Sequence, residues 1–333
     1  MTTEASEGRP PIDDNKKISA KALLFAFVAL VSEGLQPVIS NSRPDNSDPL
    51  FFSWMTVIWE LICILPFYLW EQRKKTSRIQ SFDNIDHPRN HWKRLVFVGL
   101  AFSVSVYLMI IGYDETGPIT GMIIVKISPF FAMVIGALYL HERISLSQIG
   151  FTLILLGGVF VLATKGTFQF EVFSIGVVLL LIVSLLWNLG HAASKPLLET
   201  HVMTTPETIV ARMLLCTVFL GIFSLVSRGI QDFWQWTNPN YFWPMFLMGA
   251  VYACLHFSWY KLITTVNLST ATAIMIASPI VTMVASFITA TDTLQWYHIV
   301  SLVTFFVGLY GIIAFQKQNQ KKVNLIPLDE KAN

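Results

Sequence analysis

An all-α integral membrane bundle, with ten transmembrane helices arranged as two inverted five-helix repeats, is the fold class this sequence predicts, and three observations predict it. The 333 residues are 53% hydrophobic and only 13% charged, with a mean hydropathy of +0.56, where a soluble domain carries about 25% charged residues. Apolar segments near the length needed to cross a hydrocarbon core of about 30 Å recur along the whole chain. The chain also repeats itself at an offset of 150 residues. Without a gap, Gly99 falls on Gly249, Thr120 on Thr270, Ile124 on Ile274, Met133 on Met283, Val134 on Val284 and Gly158 on Gly308, and Ser128-Pro129 falls on Ser278-Pro279. Paired-bundle carriers leave repeats of this length in their sequences and place the transport site between the copies.

Ten segments are expected, at about 20–39, 50–70, 93–113, 117–140, 145–163, 174–194, 207–227, 242–263, 267–290 and 295–315. Each must be helical, because an unpaired backbone amide in lipid costs several kcal/mol and barrel strands alternate instead of running continuously apolar. The first contains Glu33, beside Gly34 and Pro37, two residues able to loosen the helix and expose its carbonyls to a cavity. The second holds Glu60, flanked by Trp54 and Trp59. Small residues open the fourth (Gly117, Thr120, Gly121) and the ninth (Thr270, Ala271, Ala273), where they let backbones approach closely. Further along these two segments, Pro129 and Pro279 each remove a backbone hydrogen bond and clash with the preceding turn, so they are expected to be symmetry-related kinks and hinge candidates. The sixth contains Trp187, Asn188 and His191, the seventh Arg212, and the eighth His256, Trp259 and Tyr260.

The organisation is then a polar tail over 1–19, a first repeat over 20–163, a second over 174–315 and a tail over 316–333. No small-residue cleavage pattern follows an isolated short apolar core near the start, so no cleaved signal peptide is expected. With an inside N-terminus, only Arg43, Lys165 and Arg228 among the loop and tail basic residues fall outside. The positive-inside rule therefore puts both termini in the cytoplasm, most of its weight coming from the loop at 71–92, and the plasma membrane is the expected location. Five helices per half start the second copy on the opposite side, hence the inversion.

Net charge of +2 is no nucleic-acid signal, since basic residues collect at the cytoplasmic rim beside anionic lipid. Cys63, Cys216 and Cys254 all sit in apolar spans, spaced unlike a metal or disulfide framework. Neither a metal nor a cofactor is expected. There is no HExxH, no GxSxG and no phosphate-cradling glycine loop, and His141-Glu142-Arg143 departs at once from the first of these, so the chain does not read as an enzyme.

Ionisable residues inside the spans mark the candidate cavity, because a charge near the bilayer centre is kept only beside a partner or a wet path. Lys126 is the leading candidate. At about 1.5 Å rise per residue, Glu33, Glu60 and Lys126 share a depth roughly 9–15 Å from the outer face, where two carboxylates and an ammonium would form one cluster. His191, His256 and Arg212 fall in the inner half, a mirror distribution suited to inverted symmetry. Arg212 sits about 7–8 Å from the cytoplasmic end, within reach of the headgroups. Trp187, Asn188, His191, Trp259 and Tyr260 add flat apolar surface with polar handles, which suits an amphipathic solute better than a bare ion.

The segment TGPITGMIIVKISPFFAMVIGALYLHERISLSQIGFTLILLGGVFVL at 116–162 resembles the signature of the drug/metabolite transporter superfamily, and within it the EamA-type carriers. A small-residue helix start, a mid-helix Pro129, Glu142-Arg143 and a glycine-bearing next helix carry the likeness. In the second copy Asp292 stands where Glu is expected, and Gly308 is kept. The resemblance implies ten helices in two inverted repeats, a ligand cavity lined by helices one to four and six to nine, and helices five and ten outside it. Lys126, three residues before Pro129, also resembles a position of the triose-phosphate translocators, and Glu33 resembles the first-helix Glu with which small multidrug carriers exchange protons for cations.

The function expected is a secondary-active carrier of a small amphipathic organic metabolite, amino-acid-like or an organic anion, working by alternating access in the lipid bilayer. Proton-coupled efflux of organic cations through Glu33 is the alternative within transport, and a non-transporting scaffold or receptor the alternative outside it. Protons as a coupled partner and a homodimer stay open.

Overall fold

The computed structural model describes residues 20–76, 92–128, 130–131, 134, 146–169, 174–199, 203–263, 271 and 274–325. Among them there is no strand. The helices are α1 (Ala20–Asn41), α2 (Pro49–Thr76), α3 (Trp92–Thr116), α4 (Pro118–Val125), α5 (Leu146–Ala163), α6 (Ile175–Glu199), α7 (Thr205–Arg228), α8 (Pro239–Ile263), α9 (Ser278–Thr289) and α10 (Trp296–Leu325), with a short 3₁₀ turn over Gln231–Trp236. Seven of these, α1 to α3 and α5 to α8, are long and apolar enough to cross a membrane, and α9 and the first part of α10 are shorter apolar helices. Large apolar side chains such as Phe27, Leu153, Val226, Phe287 and Tyr310 stand exposed on the outside, as lipid contact requires.

The packing partners exchange when the halves exchange. α1 lies on α8 as α6 lies on α3, and α2 meets α8 as α7 meets α3. In the same way α1 meets α9 as α6 meets α4, while α2 with α7, α4 with α9 and α5 with α10 pair across the halves. Glycines at the 150-residue offset make equivalent close approaches. A Cβ on Gly99 would stand 2.5 Å from Leu215 on α7, and one on Gly249 would stand 2.3 Å from Trp59 on α2. Gly158 likewise abuts Thr304 on α10 while Gly308 abuts the Phe151 carbonyl and Leu155 on α5. Small residues thus close both seams, as expected where no hydrophobic force drives helices together in lipid.

One end of the bundle gathers alternate helix ends. Arg43, just past α1, pairs with Asp114 near the end of α3, and Arg228 at the end of α7 reaches Asp48 before α2. Tyr241 in α8 bonds Asn46, and Ser174 before α6 bonds the Glu115 carbonyl. Asp292 after α9 bonds the Ile119 amide in α4, and Gly166 after α5 lies against Trp296 of α10. Two of the three basic residues expected outside, Arg43 and Arg228, are thus neutralised by acidic partners at this end.

Two helices expected to be continuous are broken. The fourth stops at Val125, Lys126 and Ile127 form a turn, and helix resumes at Ser128. The bonds Ile127 N to Ile124 O (3.0 Å) and Phe130 N to Ile127 O (2.8 Å) are matched 150 residues on by Ala277 N to Ile274 O (3.2 Å) and Ile280 N to Ala277 O (3.0 Å). Tightening to 3₁₀-type bonds therefore occurs at the same register in both halves. Pro129 lies outside the described residues. A proline there has no N–H for the Val125 carbonyl, which instead accepts the Ser184 hydroxyl of α6 at 2.8 Å. Pro279 is buried in the first turn of α9, where a missing N–H is tolerated, so it starts a helix instead of kinking one.

Candidate functional site

Two buried polar clusters lie where the halves meet. The first forms on α1 and α4. Lys126, at the C-terminal cap of α4, donates from Nζ to Glu33 Oε2 of α1, with both side chains nearly buried. The helix break holds the ammonium inside the bundle at a place where α4 has run out of backbone donors. Thr282 of α9 donates to the Gly34 carbonyl at 2.7 Å, and Gly34 itself leaves no room for a Cβ beside Val281. One turn on from Glu33, Gln36 is fully buried with neither amide atom partnered. Tyr113 of α3 is also fully buried, its hydroxyl is unpartnered, and it lies within electrostatic range of Glu33. Each such group costs about 1–3 kcal/mol when left unsatisfied, so the cluster holds unused hydrogen-bonding capacity. A small apolar pocket lined by Ile123, Lys126, Ile276, Pro279, Leu302, Phe305 and Phe306 opens beside it.

The second cluster forms on α2, α7 and α8. Glu60 Oε1 lies 2.6 Å from His256 Nδ1 and accepts Arg212 Nη2 at 3.4 Å. Arg212 Nη1 donates to the Tyr260 hydroxyl at 3.3 Å, and its guanidinium stands 4.2 Å above the Phe102 ring. Gly190 of α6 makes space for that ring, and His191 packs against it at 5.3 Å. On α8, Gly249, Tyr252, His256 and Tyr260 recur at helical spacing on one face. Close contact of Gly249 with the α2 backbone at Thr56 and Glu60 brings that face onto the carboxylate. Tyr252, fully buried, lies within electrostatic range of Tyr113, Glu33, Glu60 and Arg212, and so stands between the clusters.

The single cluster expected of Glu33, Glu60 and Lys126 is therefore divided. Glu33 and Lys126 meet, whereas Glu60 joins Arg212 and His256, because α2 packs on α7 and α8 while α1 packs on α9 and α4. Arg212 does not reach the headgroups; it is 1% exposed. Asn188 donates to Ser128 Oγ and to the Ser184 carbonyl, each at 2.7 Å. Trp187 packs between the two main apolar cores, and Trp259 lies 6.5 Å from His191. Sequence reasoning missed Gln36, Tyr113 and Tyr252, of which only Gln36 carried a signal, its spacing of one turn from Glu33. It also missed His298, which is buried in α10. His298 accepts the Gln295 amide at Nδ1, so its Nε2 donates to Thr120 Oγ1 at 2.9 Å.

The EamA-like transporter family model matches residues 20–164 and again residues 174–314. The chain belongs to the EamA-like transporter family. This EamA-like chain is 29% identical over 229 residues to the protein named Uncharacterized transporter YcxC of Bacillus subtilis (strain 168), a match spanning 65% of this chain and 70% of that one. A solved crystal structure, described only as that of a protein, superposes on 88% of this EamA-like chain and 97% of its own at TM-score 0.60 and 12% identity, a likeness of fold. With its family and its apolar helices, the chain is a multi-pass membrane transporter.

Proposed function

We propose that this transporter carries a small amphipathic organic metabolite, amino-acid-like or an organic anion, by secondary-active alternating access. Its moving parts are two inverted five-helix repeats, residues 20–163 and 174–315, which rock about a cavity at their seam and do no catalysis. The observation that carries the reading is the placement of two buried charged clusters, Glu33 with Lys126 and Glu60 with Arg212 and His256, where helices of the two halves meet. Ionisable groups at such depth are kept for solute or ion pathways. Inversion is supported by packing partners that exchange between halves and by the gathering of alternate helix ends at one end of the bundle. The two matched helix breaks, near 126–127 and 276–277, are suited to flexing in register. In this reading both termini face the cytoplasm of a cell whose plasma membrane holds the protein, and a homodimer is compatible with the exposed apolar surfaces of α5 and α10.

The test is a thermal-unfolding screen of the detergent-purified chain against anionic, zwitterionic and cationic metabolites, followed by counterflow of any hit into proteoliposomes. A ligand present at 100 times its Kd stabilises the native state by about 2.7 kcal/mol. Stabilisation by anions or amino acids, together with their exchange across the liposome membrane, is the expected result. Cations stabilising through Glu33 would replace it with proton-coupled efflux, although the bond of Glu33 to Lys126 argues against a free carboxylate there. Ligand binding with no exchange of any solute would point to a receptor.

A further inference from the structure

Arg212 has more donors than good partners. Its side chain is 1% exposed, yet its contacts with Tyr260 and Glu60 measure 3.3 and 3.4 Å and its Nε has no partner. Both contacts are longer than the usual limit of about 3.2 Å for N–H···O bonds. The acceptor it shares, Glu60 Oε1, is held more tightly by His256 at 2.6 Å. A guanidinium taken out of water is unfavourable unless its partners have excellent geometry, and these do not. The Phe102 face supports the ion from one side and leaves the planar fork, whose shape matches the two oxygens of a carboxylate, short of an acceptor. Lys126, another buried cation at the seam, is already engaged by Glu33.

We propose that Arg212 is the anion subsite of the transport cavity and takes the carboxylate of a small solute whose apolar or aromatic body lies against Phe102, His191 and Trp259. The inference rests on the reading of the chain as a carrier. The carboxylate oxygens receive Nε and one Nη in a two-bond fork, and Glu60 stays with His256.

Three probes of one shape separate the charges: 3-phenylpropionate carries only a carboxylate, phenylalanine a carboxylate and an ammonium, and phenethylamine only an ammonium. In thermal unfolding of the full chain the first two are expected to raise Tm and the third to leave it unchanged. Arg212→Lys keeps the charge but loses the fork, and is expected to weaken the apparent Kd for the carboxylates at least tenfold. The double variant Arg212→Gln with Glu60→Gln leaves no lone buried ion and is expected to abolish the shift. The proposal is overturned by no shift from either carboxylate, by an equal shift from phenethylamine, or by a shift that survives in the double variant. Loss of the shift in Lys126→Ala with retention in the Arg212 variants would move the anion to Lys126 and overturn it too. Counterflow of labelled phenylalanine keeps the two readings apart. Arg212-dependent binding without exchange upholds the subsite and removes the carrier, whereas exchange indifferent to the Arg212 variants upholds the carrier and removes the subsite.

Discussion

The carboxylate of Asp292, beyond the end of α9, accepts the backbone N–H of Ile119 in the first turn of α4 at 3.2 Å. The N-cap of α4 is Gly117, which has no side chain to bond the helix's free amides, so an acid from the other half does this from outside. Asp292 also accepts the Thr293 amide at 2.7 Å, which fixes its orientation.

Asp292→Ala is therefore expected to destabilise the chain by roughly 0.5–2 kcal/mol, the range for losing a helix cap. Asp292→Asn keeps an acceptor but loses a negative charge at the helix N-terminus, and is expected to cost about 0.3–1 kcal/mol. Thermal unfolding of the three proteins checks the order; equal losses in both variants would assign the whole effect to charge.

Glycine substitutions separate the seams from the lipid face. A Cβ on Gly249 would stand 2.3 Å from Trp59 Cβ and 2.8 Å from the backbone at Thr56 and Glu60, while one on Gly157 would meet nothing within 4 Å. Gly249→Ala is expected to cost about 1–3 kcal/mol as an overpacked contact that backbone cannot relieve. Gly157→Ala is expected to be neutral or stabilising by up to about 1 kcal/mol through helix propensity. Opposite signs in Tm are the outcome to look for, and a Gly249→Ala protein as stable as the parent would mean that the α2–α8 seam is looser than drawn.

Much of the fold is legible in the sequence because membrane thickness dictates apolar length and the repeat survives as paired glycines. Gly99 with Gly249 and Gly158 with Gly308 align at one offset because each pair meets the same steric demand at equivalent seams. The site is less legible. Position along a helix gives depth, and depth places Glu60 level with Glu33 and Lys126. Direction around the helix axis depends on which neighbours a helix has, and α2 turns Glu60 towards α7 and α8. Arg212 illustrates the same limit, since counting residues from the helix end predicts a reach to the headgroups while Phe102 and Glu60 hold it inside. The short form of α4 is only half legible: Pro129 signals a kink, but nothing in the sequence says that the helix already stops at Val125 and turns through Lys126 and Ile127.

The ion pair of Arg228 with Asp48 joins the end of α7 to the start of α2, and its two partners are not equivalent. The Arg228 side chain is 52% exposed and that of Asp48 only 8%. Asp48 Oδ1 also accepts the Phe51 amide at 2.8 Å as a cap of α2. Arg228→Ala is expected to cost little, as exposed pairs do. Asp48→Ala loses the pair and the cap together and is expected to cost about 1–2 kcal/mol. Unfolding at raised salt provides the check: screening should shrink the Arg228→Ala effect and leave most of the Asp48→Ala effect in place. Equal and equally salt-sensitive losses would reduce Asp48 to an ion-pair partner.

Lys126 and Glu33 give the clearest contrast between stability and function. Their side chains are 10% and 12% exposed, so removing either leaves a charge with little water around it. Lys126→Met or Glu33→Gln alone is expected to cost about 3–5 kcal/mol, whereas the double substitution removes both ions and is expected to recover most of that loss. A coupling of this size in a four-protein Tm cycle would show that the pair acts as a unit. Transport separates the remaining readings. If the pair only holds α1 against α4, the stable double variant exchanges solute at the parent rate. If the pair opens and re-forms as α1 shifts against α4 within the first half during transport, the double variant folds but exchanges slowly in counterflow, because the closed arrangement has lost the bond that selects it. The second outcome is expected, since Gln36 and Tyr113 hold unpartnered polar atoms beside an already satisfied pair, capacity that a purely structural bond does not require.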